Sequence, residues 1–378
     1  MALAIWLYLL AGRGAFWLGR ERDDQLPATA GSWPAVTAVI PARDEAECVG
    51  ATITSLLRQT YPGTFTVILV DDQSRDGTAQ VARNAAAALG AADRLTVLAG
   101  RPLPAGWTGK LWAQHQGVEA ADAAPEPADY LLLTDADIVY AGDELERIVA
   151  RAQSRGNVLT SLMAKLRCKS FAERAFIPAF IFFFQMLYPF AWANDPRRGT
   201  AAAAGGCMLV RREALLQAGG MASIRAALID DCALAKRLKA YGPIWIGLTD
   251  GVTSTRAYPV LQDIRRMVSR TAYAQLGYSP LILTGTVLGL ALTYVAPVLL
   301  ALFAGGIAKI FGVIAWLLMA LAFQPTLRFY RVSPLWGLAL PAIAAAYMAF
   351  TVDSAYQHAR GRGGMWKGRA QANVSELR

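Results

Sequence analysis

The stretch Tyr130-Leu131-Leu132-Leu133-Thr134-Asp135-Ala136-Asp137 decides how the rest of the chain is interpreted. Its apolar run is typical of a buried strand, and the run stops at two carboxylates, Asp135 and Asp137. Both acids then stand at the carboxyl end of the strand, where open α/β sheets bind ligands. Paired oxygen donors suit Mg²⁺ or Mn²⁺ together with substrate phosphates. A solvated turn is the alternative for an isolated Asp-x-Asp.

Short apolar runs alternate with longer helical stretches before this strand. The predicted strands are 36–40, 66–70, 95–99 and 130–134, and the predicted helices between them are 46–58, 78–89 and 111–121. This alternation predicts an α/β fold with a doubly wound, mostly parallel sheet.

Polar residues follow the predicted strands, and right-handed crossovers bring such loops to one edge of a sheet. The second strand ends in Val70-Asp71-Asp72-x-Ser74-x-Asp76-Gly77-Thr78, where an acid can accept a hydrogen bond from a ribose hydroxyl or a base N–H. An Asx turn that caps the next helix is the alternative. We therefore expect a crevice lined by acids from several strands.

Two common nucleotide motifs are absent from the sequence. Gly109-Lys110 resembles the end of a phosphate loop, but Pro104 stands where that motif needs glycine and Leu111 replaces Ser or Thr. No Gly-x-Gly-x-x-Gly follows the first strand, which argues against a dinucleotide-dependent oxidoreductase.

The composition indicates a membrane-associated protein. Of the 378 residues, 55% are hydrophobic and 17% are charged, and the mean hydropathy is +0.32. The net charge of +9 is scattered without a nucleic-acid motif, so we expect attraction to anionic lipids and phosphorylated substrates and no nucleic-acid partner. The four cysteines and two histidines form no cluster, which predicts reduced thiols and no zinc.

Several apolar segments are candidates for membrane contact. Residues 1–20 are predicted to be an amino-terminal anchor whose carboxyl end faces the cytoplasm, with a cleaved signal peptide as the alternative, and Gln25 to Pro34 is a predicted linker. Residues 171–193 are predicted to form an interfacial helix or an acceptor-side wall, with a core helix as the alternative. Residues 281–352 contain three stretches long enough to span or nearly span a bilayer.

A basic tail, residues 353–378, follows these stretches. Three crossings would leave it outside, against the positive-inside tendency. Either one segment is re-entrant or the tail is an exception.

Five motifs together resemble the family 2 glycosyltransferases of the inverting GT-A type. They are Pro41-Ala42-Arg43-Asp44-Glu45, the Asp71-Asp72 stretch, Asp135-Ala136-Asp137, Gly205-Gly206-Cys207-Met208-Leu209-Val210-Arg211-Arg212 and Ile229-Asp230-Asp231. The resemblance implies a nucleotide-diphospho-sugar transferase domain over residues 34–275. Trp107-Thr108-Gly109-Lys110-Leu111-Trp112-Ala113 and Gly363-Gly364-Met365-Trp366-Lys367-Gly368-Arg369 are most similar to the hopanoid-biosynthesis-associated members.

This resemblance implies a role for each matching residue. Pro41, Glu45, Asp71 and Asp72 would bind the nucleotide, Lys110 would lie near its phosphates, Asp137 would be the principal metal ligand with Asp135 near the ribose or the metal, and Asp231 would be the catalytic base. Inverting transfer needs one carboxylate to accept the proton of the acceptor hydroxyl and a divalent cation to stabilise the leaving diphosphate. A helix cap is the alternative for Asp230-Asp231.

One departure from the family bears on the product. Processive members carry Gln-x-x-Arg-Trp before their membrane segments, whereas Met267-Val268-Ser269-Arg270-Thr271 keeps only the arginine. Arg270 remains a candidate contact for the diphosphate, and the missing tryptophan favours transfer of a single sugar.

The resemblance therefore implies a membrane-bound enzyme that uses a UDP-sugar and a hopanoid or related polyprenoid acceptor at the cytoplasmic face of the bacterial inner membrane. A processive polysaccharide synthase and a catalytically silent nucleotide-binding membrane subunit are the alternatives.

Overall fold

The computed structural model describes residues 1–24, 31–366 and 369–370. Most of the predicted linker, at residues 25–30, lies outside the described residues, as do residues 367–368 and 371–378 of the predicted basic tail.

Within the described residues, the strands of the main sheet are β1 Val36–Ala42, β2 Phe65–Asp71, β3 Leu95–Ala99, β4 Tyr130–Thr134, β5 Ile138–Tyr140, β6 Leu159–Lys165, β7 Cys207–Arg211 and β8 Ile244–Ser254. Their order across the sheet is β3-β2-β1-β4-β7-β6-β8-β5. Two short strands near the carboxyl end, β9 Met365–Trp366 and β10 Arg369–Ala370, pair antiparallel with each other.

The helices are α1 Ala2–Ala11, α2 Ala46–Leu57, α3 Thr78–Ala88, α4 Gly109–Asp122, α5 Glu144–Arg155, α6 Phe171–Leu187, α7 Phe190–Ala193, α8 Arg212–Gln217, α9 Asp230–Leu238, α10 Leu261–Ser269, α11 Ala272–Gln275, α12 Pro280–Leu290, α13 Ala296–Phe303, α14 Gly306–Phe329 and α15 Trp336–Ala359. A π-helical turn at Ala291–Val295 joins α12 to α13. Short 3-10 helices lie at Phe16–Leu18, Ala92–Arg94 and Met221–Ile224.

The amino-terminal half of the sheet confirms the predicted alternation. Strands β1 to β4 and helices α2 to α4 fall on the predicted segments, and β3-β2-β1-β4 are parallel neighbours. Every residue of β1 and β4 is buried, because crossover helices cover both faces of a parallel sheet.

The other half of the sheet is mixed. Strand β7 pairs antiparallel with both β4 and β6, and β5 pairs antiparallel with β8, whereas β6 and β8 are parallel. The fold is therefore a mixed α/β sheet, with parallel pairing concentrated where helices alternate regularly with strands.

The chain packs as two units. The sheet unit contains residues 21–166 and 192–256 and the segment from residue 365, and it has an apolar core on each face of the sheet. The helical unit contains residues 1–20, 167–191 and 257–364, and its core includes Trp6, Phe182, Tyr294 and Phe323. In its described residues, three 24-residue helical stretches are long and apolar enough to cross a membrane.

Candidate active site

Two loops at the carboxyl ends of β1 and β2 hydrogen-bond to each other through short polar side chains. The bonds run from Asp44 N to Ser74 Oγ (2.9 Å), from Arg75 N to Asp44 Oδ1 (2.8 Å), from Glu45 N to Thr78 Oγ1 (2.8 Å) and from Ala46 N to Asp76 Oδ2 (2.9 Å). Asp44 and Gln73 adopt positive φ, as the tight turns require. The loops thus form one cross-linked rim on the sheet edge.

The residues expected to bind nucleotide lie on this rim. Pro41 is in β1 beside Val70, and Asp71 ends β2 opposite Ala42. Asp71 Oδ1 accepts from Ser74 N at 3.0 Å, whereas the Asx turn before α3 is made by Asp76, whose Oδ1 accepts from Thr78 N at 3.0 Å. Asp72 is fully buried, and its carbonyl accepts from Arg43 Nη1. Their role in nucleotide binding remains a prediction.

Lys110 links two acidic segments that are far apart in the sequence. Its Nζ lies 2.8 Å from Asp135 Oδ1 and 3.1 Å from Asp230 Oδ2. Thr108 caps α4 by accepting from Leu111 N, so Lys110 projects from the first turn of that helix. Burial lowers the pKa of Lys110, but the nearby carboxylates outweigh burial and raise it above its ordinary value. Lys110 therefore keeps its positive charge and is held between two carboxylates.

Asp137 is held by the end of β8. Its Oδ2 accepts from Ser254 Oγ at 3.0 Å and from Arg256 Nε at 2.9 Å. Arg256 also donates from Nη2 to Glu45 Oε1 at 2.7 Å, so it joins the β1 loop to the β4 loop. Sequence reasoning missed Ser254 and Arg256. Arg256 follows the largely polar stretch Thr249 to Thr255, so no local pattern pointed to it.

The two acids after β4 fit a divalent cation that also binds substrate phosphates. Asp135 and Asp137 each have one oxygen bound by a cationic side chain, and burial raises the pKa of Asp135. Two carboxylates without further protein ligands are the usual donor set for Mg²⁺ or Mn²⁺ beside a diphosphate. No group of three or more His, Cys, Asp or Glu residues suited to a metal occurs in the part of the chain that the structure describes.

Asp231, unlike Asp135 and Asp230, makes no ion-pair contact with Lys110. Its Oδ2 accepts from Gly205 N at 3.0 Å and its Oδ1 from its neighbour Cys232 N at 2.7 Å. Burial and the adjacent Asp230 raise the pKa of Asp231 to about 6, although Lys110 opposes the shift. A carboxylate with such a pKa can accept a proton near neutral pH.

Gly205 lies between the two charged groups. A Cβ atom at this position would be 3.2 Å from Lys110 Nζ and 3.6 Å from Asp231 Oδ2. The backbone of the Gly205-Gly206 turn can approach both side chains because no side chain intervenes.

Arg270 lies in the helical unit, where it follows the last residue of α10. Its proposed contact with the diphosphate remains a prediction. The structure pairs Lys110 directly with Asp135, joins Glu45 to Asp137 through Arg256, and places Lys110 and Asp231 on either side of Gly205.

A comparison with protein-family models matches the part of the chain that forms this edge of the sheet. Residues 37–218 match the model described as glycosyl transferase family 2. They include the β1, β2 and β4 loops and the Gly205-Gly206 turn. Residues 37–218 are therefore similar to a family 2 glycosyltransferase domain, and the chain is a glycosyltransferase. None of the curated proteins matches its sequence.

Among solved structures that are similar to the chain, one with a TM-score of 0.52 supports the fold. A mannosyltransferase from Pyrobaculum calidifontis in complex with GDP-Man and Mn²⁺ is similar over 98% of this chain and 100% of its own, with a TM-score of 0.52 and 19% identity. Mannosyl-3-phosphoglycerate synthase from Rubrobacter xylanophilus matches 65% of this chain and 74% of its own, with a TM-score of 0.40 and 18% identity. TarS residues 1–349 from S. aureus, in complex with UDP, match over 86% and 92%, with a TM-score of 0.39 and 15% identity. The fold is of the GT-A type.

Proposed function

We propose that this glycosyltransferase moves one sugar, with inversion, from a nucleotide-sugar donor to a hydroxyl group of a lipid. The observation that carries the proposal is the division between two adjacent acids. Lys110 forms an ion pair with Asp230, whereas the pKa of Asp231 is raised and its carboxylate has no ion-pair contact within the described residues. Single displacement needs one such carboxylate and no covalent intermediate.

The donor nucleotide would bind at the rim formed by Pro41, Glu45, Asp71 and Asp72. Asp135 and Asp137 would hold Mg²⁺ or Mn²⁺ together with the diphosphate. Such a cation, when bound, supplies positive charge that stabilises the leaving diphosphate.

The chain's own residues perform the remaining steps. Asp231 accepts the proton of the attacking hydroxyl as the new bond to the sugar forms. The N–H of Gly205 orients the carboxylate for this transfer. Lys110 balances the charge of Asp135 and Asp230 next to the reacting groups.

The resemblance of the sequence to hopanoid-associated members supports a hopanoid or related polyprenoid as acceptor and a UDP-sugar as donor. The long apolar helices support an acceptor drawn from the membrane, at the cytoplasmic face of a bacterial inner membrane. GDP-mannose is included among the donors to be tested because a structurally similar mannosyltransferase was solved with it.

The proposal is tested by incubating the detergent-solubilised protein with labelled UDP-sugars or GDP-mannose, Mn²⁺ and a lipid extract from a hopanoid-producing bacterium. We expect one lipid product that carries a single sugar of inverted anomeric configuration. A ladder of polymer lengths would contradict single transfer. Transfer only to a water-soluble acceptor would contradict the lipid assignment.

A further inference from the structure

Three helical stretches in the helical unit are candidates for crossing a membrane: Pro280–Phe303, Gly306–Phe329 and Trp336–Ala359. Each has 24 residues and is about 36 Å long, which exceeds the roughly 30 Å of a hydrocarbon core. If all three crossed, the chain would enter the first on one side and leave the third on the other. Residues just before 280 and close to 359 would then be separated by about the bilayer thickness.

The structure places these two regions in direct contact. The rings of Tyr278 and His358 stack with centroids 4.4 Å apart, and Tyr273 makes an edge contact with His358 at 5.5 Å. Nearby, Arg265 donates to both carboxylate oxygens of Asp353 at 3.0 and 2.7 Å. The chain therefore makes an even number of crossings between residues 278 and 358.

We infer that the chain crosses the membrane twice in this region, through Pro280–Phe303 and Gly306–Phe329. Helix α15 does not cross, and both of its ends lie on the same side of the membrane. That side is the one on which the chain enters the first crossing.

Close packing identifies the first two stretches as the crossing pair. Helices α13 and α14 are joined only by residues 304–305. A Cβ atom at Gly312 would lie 2.6 Å from Ala301 N and 2.8 Å from the carbonyl oxygen of Pro297, so the two backbones touch where Gly312 has no side chain. This geometry is that of an antiparallel helical hairpin, which returns the chain to its starting side.

Contacts along α6 identify α15 as the helix that does not cross. Trp336 contacts the ring of Phe171 at 5.3 Å, at the start of α6, and Tyr347 donates to the carbonyl of Phe176 at 2.8 Å. Both ends of α6 continue in the chain into the sheet unit, so α6 begins and ends on one side of the membrane. α15 is also the least hydrophobic of the three stretches.

The charges agree with this topology. Arg328 lies in the last turn of α14 and Arg331 just after it, and Arg360 and Arg362 follow α15, whereas the tip side of the hairpin carries one charge, Lys309 in the first turn of α14. With two crossings, all four arginines lie on the side on which the chain enters the first crossing, so the positive charges concentrate on one side, in keeping with the positive-inside tendency. The conflict that three crossings create for the basic tail disappears.

α15 also presents a surface for lipid. Val352 and Tyr356, in the last two turns of α15, are each about half exposed and lie four residues apart on one face. The guanidinium of Arg360 lies 4.4 Å from the Tyr356 ring centroid, an arrangement suited to the headgroup boundary. The partner that fits this stripe is the surface of the bilayer.

Epitope tags placed in the full chain test this topology in membrane vesicles of known orientation. One tag follows Arg378, a second is inserted between Ala304 and Gly305, and a third follows Glu126 in the loop after α4. We expect the first and third tags to be digested by protease from the same face, and the second only from the opposite face. Digestion of the Arg378 tag together with the hairpin tag would establish an odd number of crossings and overturn the inference. Digestion of all three tags from one face would show that the hairpin does not cross the membrane.

A second measurement covers the case in which a tag disturbs folding. Arg265→Asp and Asp353→Arg should each lower the thermal transition of the solubilised protein, and the double exchange should recover most of the loss. Independent effects of the two substitutions would contradict the contact on which the argument rests. Neither experiment uses sugar transfer as its readout, so the topology and the proposed reaction can fail separately.

Discussion

Arg256 donates from Nε to Oδ2 of Asp137 at 2.9 Å, so one oxygen of the expected principal metal ligand is bound by a guanidinium. The same side chain reaches Glu45, which ties two loops of the sheet edge together. A cation that binds Asp137 therefore competes with Arg256 for that carboxylate.

Replacing Arg256 should strengthen cation binding. In Arg256→Gln the positive charge beside Asp137 is lost, and we expect Mn²⁺ to bind about tenfold more tightly because a nearby like charge disfavours a second cation. Electron paramagnetic resonance titration of free Mn²⁺ measures the change. Arg212→Gln, which removes a pair with Asp122 elsewhere, is the control. Unchanged or weaker binding in Arg256→Gln would contradict the competition.

A side chain at Gly205 should disturb the charged centre. Its Cβ would lie 3.2 Å from Lys110 Nζ, so Lys110 must move in Gly205→Ala. We expect kcat to fall about tenfold, roughly 1.4 kcal/mol in the barrier. Gly142→Ala is the matched control, because nothing lies within 4 Å of a Cβ there. Equal activity of the two variants would show that the close approach at Gly205 is unimportant.

Features set by neighbouring residues in the chain could be predicted from the sequence, and features set by distant residues could not. Strands β1 to β4 and the acids at their ends could be predicted because apolar runs and the residues that end them are neighbours in the chain. Strand β7 pairs with strands on either side only in the tertiary structure, and its antiparallel direction leaves no local pattern. The contact of Arg256 with Asp137 joins residues 119 apart, so no spacing rule predicts it.

Lys110 should matter for stability as well as activity. Lys110→Met would leave the partly buried Asp135 and Asp230 without their shared cation, and leaving polar groups unpaired in this way costs about 1–3 kcal/mol. Thermal unfolding of the solubilised protein measures this loss. Asp230→Asn in the Lys110→Met background should recover part of it by removing one buried charge. Additive losses in the double variant would contradict direct coupling.

Turnover should depend on pH through Asp231. Its pKa is about 6 and a base must be deprotonated, so kcat should fall about tenfold per pH unit below that value. Asp230→Asn removes a negative charge that raises this pKa, so the falling limb should move to lower pH. The pH profiles of both proteins, measured at saturating donor, test the shift. If the pH at which kcat falls is the same in both proteins, the group that titrates is not Asp231.

The proposed reaction depends on Asp231, which accepts the proton of the acceptor hydroxyl. This role is tested by single-turnover sugar transfer by Asp231→Asn, with donor binding measured on the same preparation by calorimetry. We predict that transfer falls by about 10²–10⁴-fold while the Kd for the donor stays within a few-fold of the unsubstituted protein. Transfer at an undiminished rate with intact donor binding would contradict the assignment of Asp231 as the base.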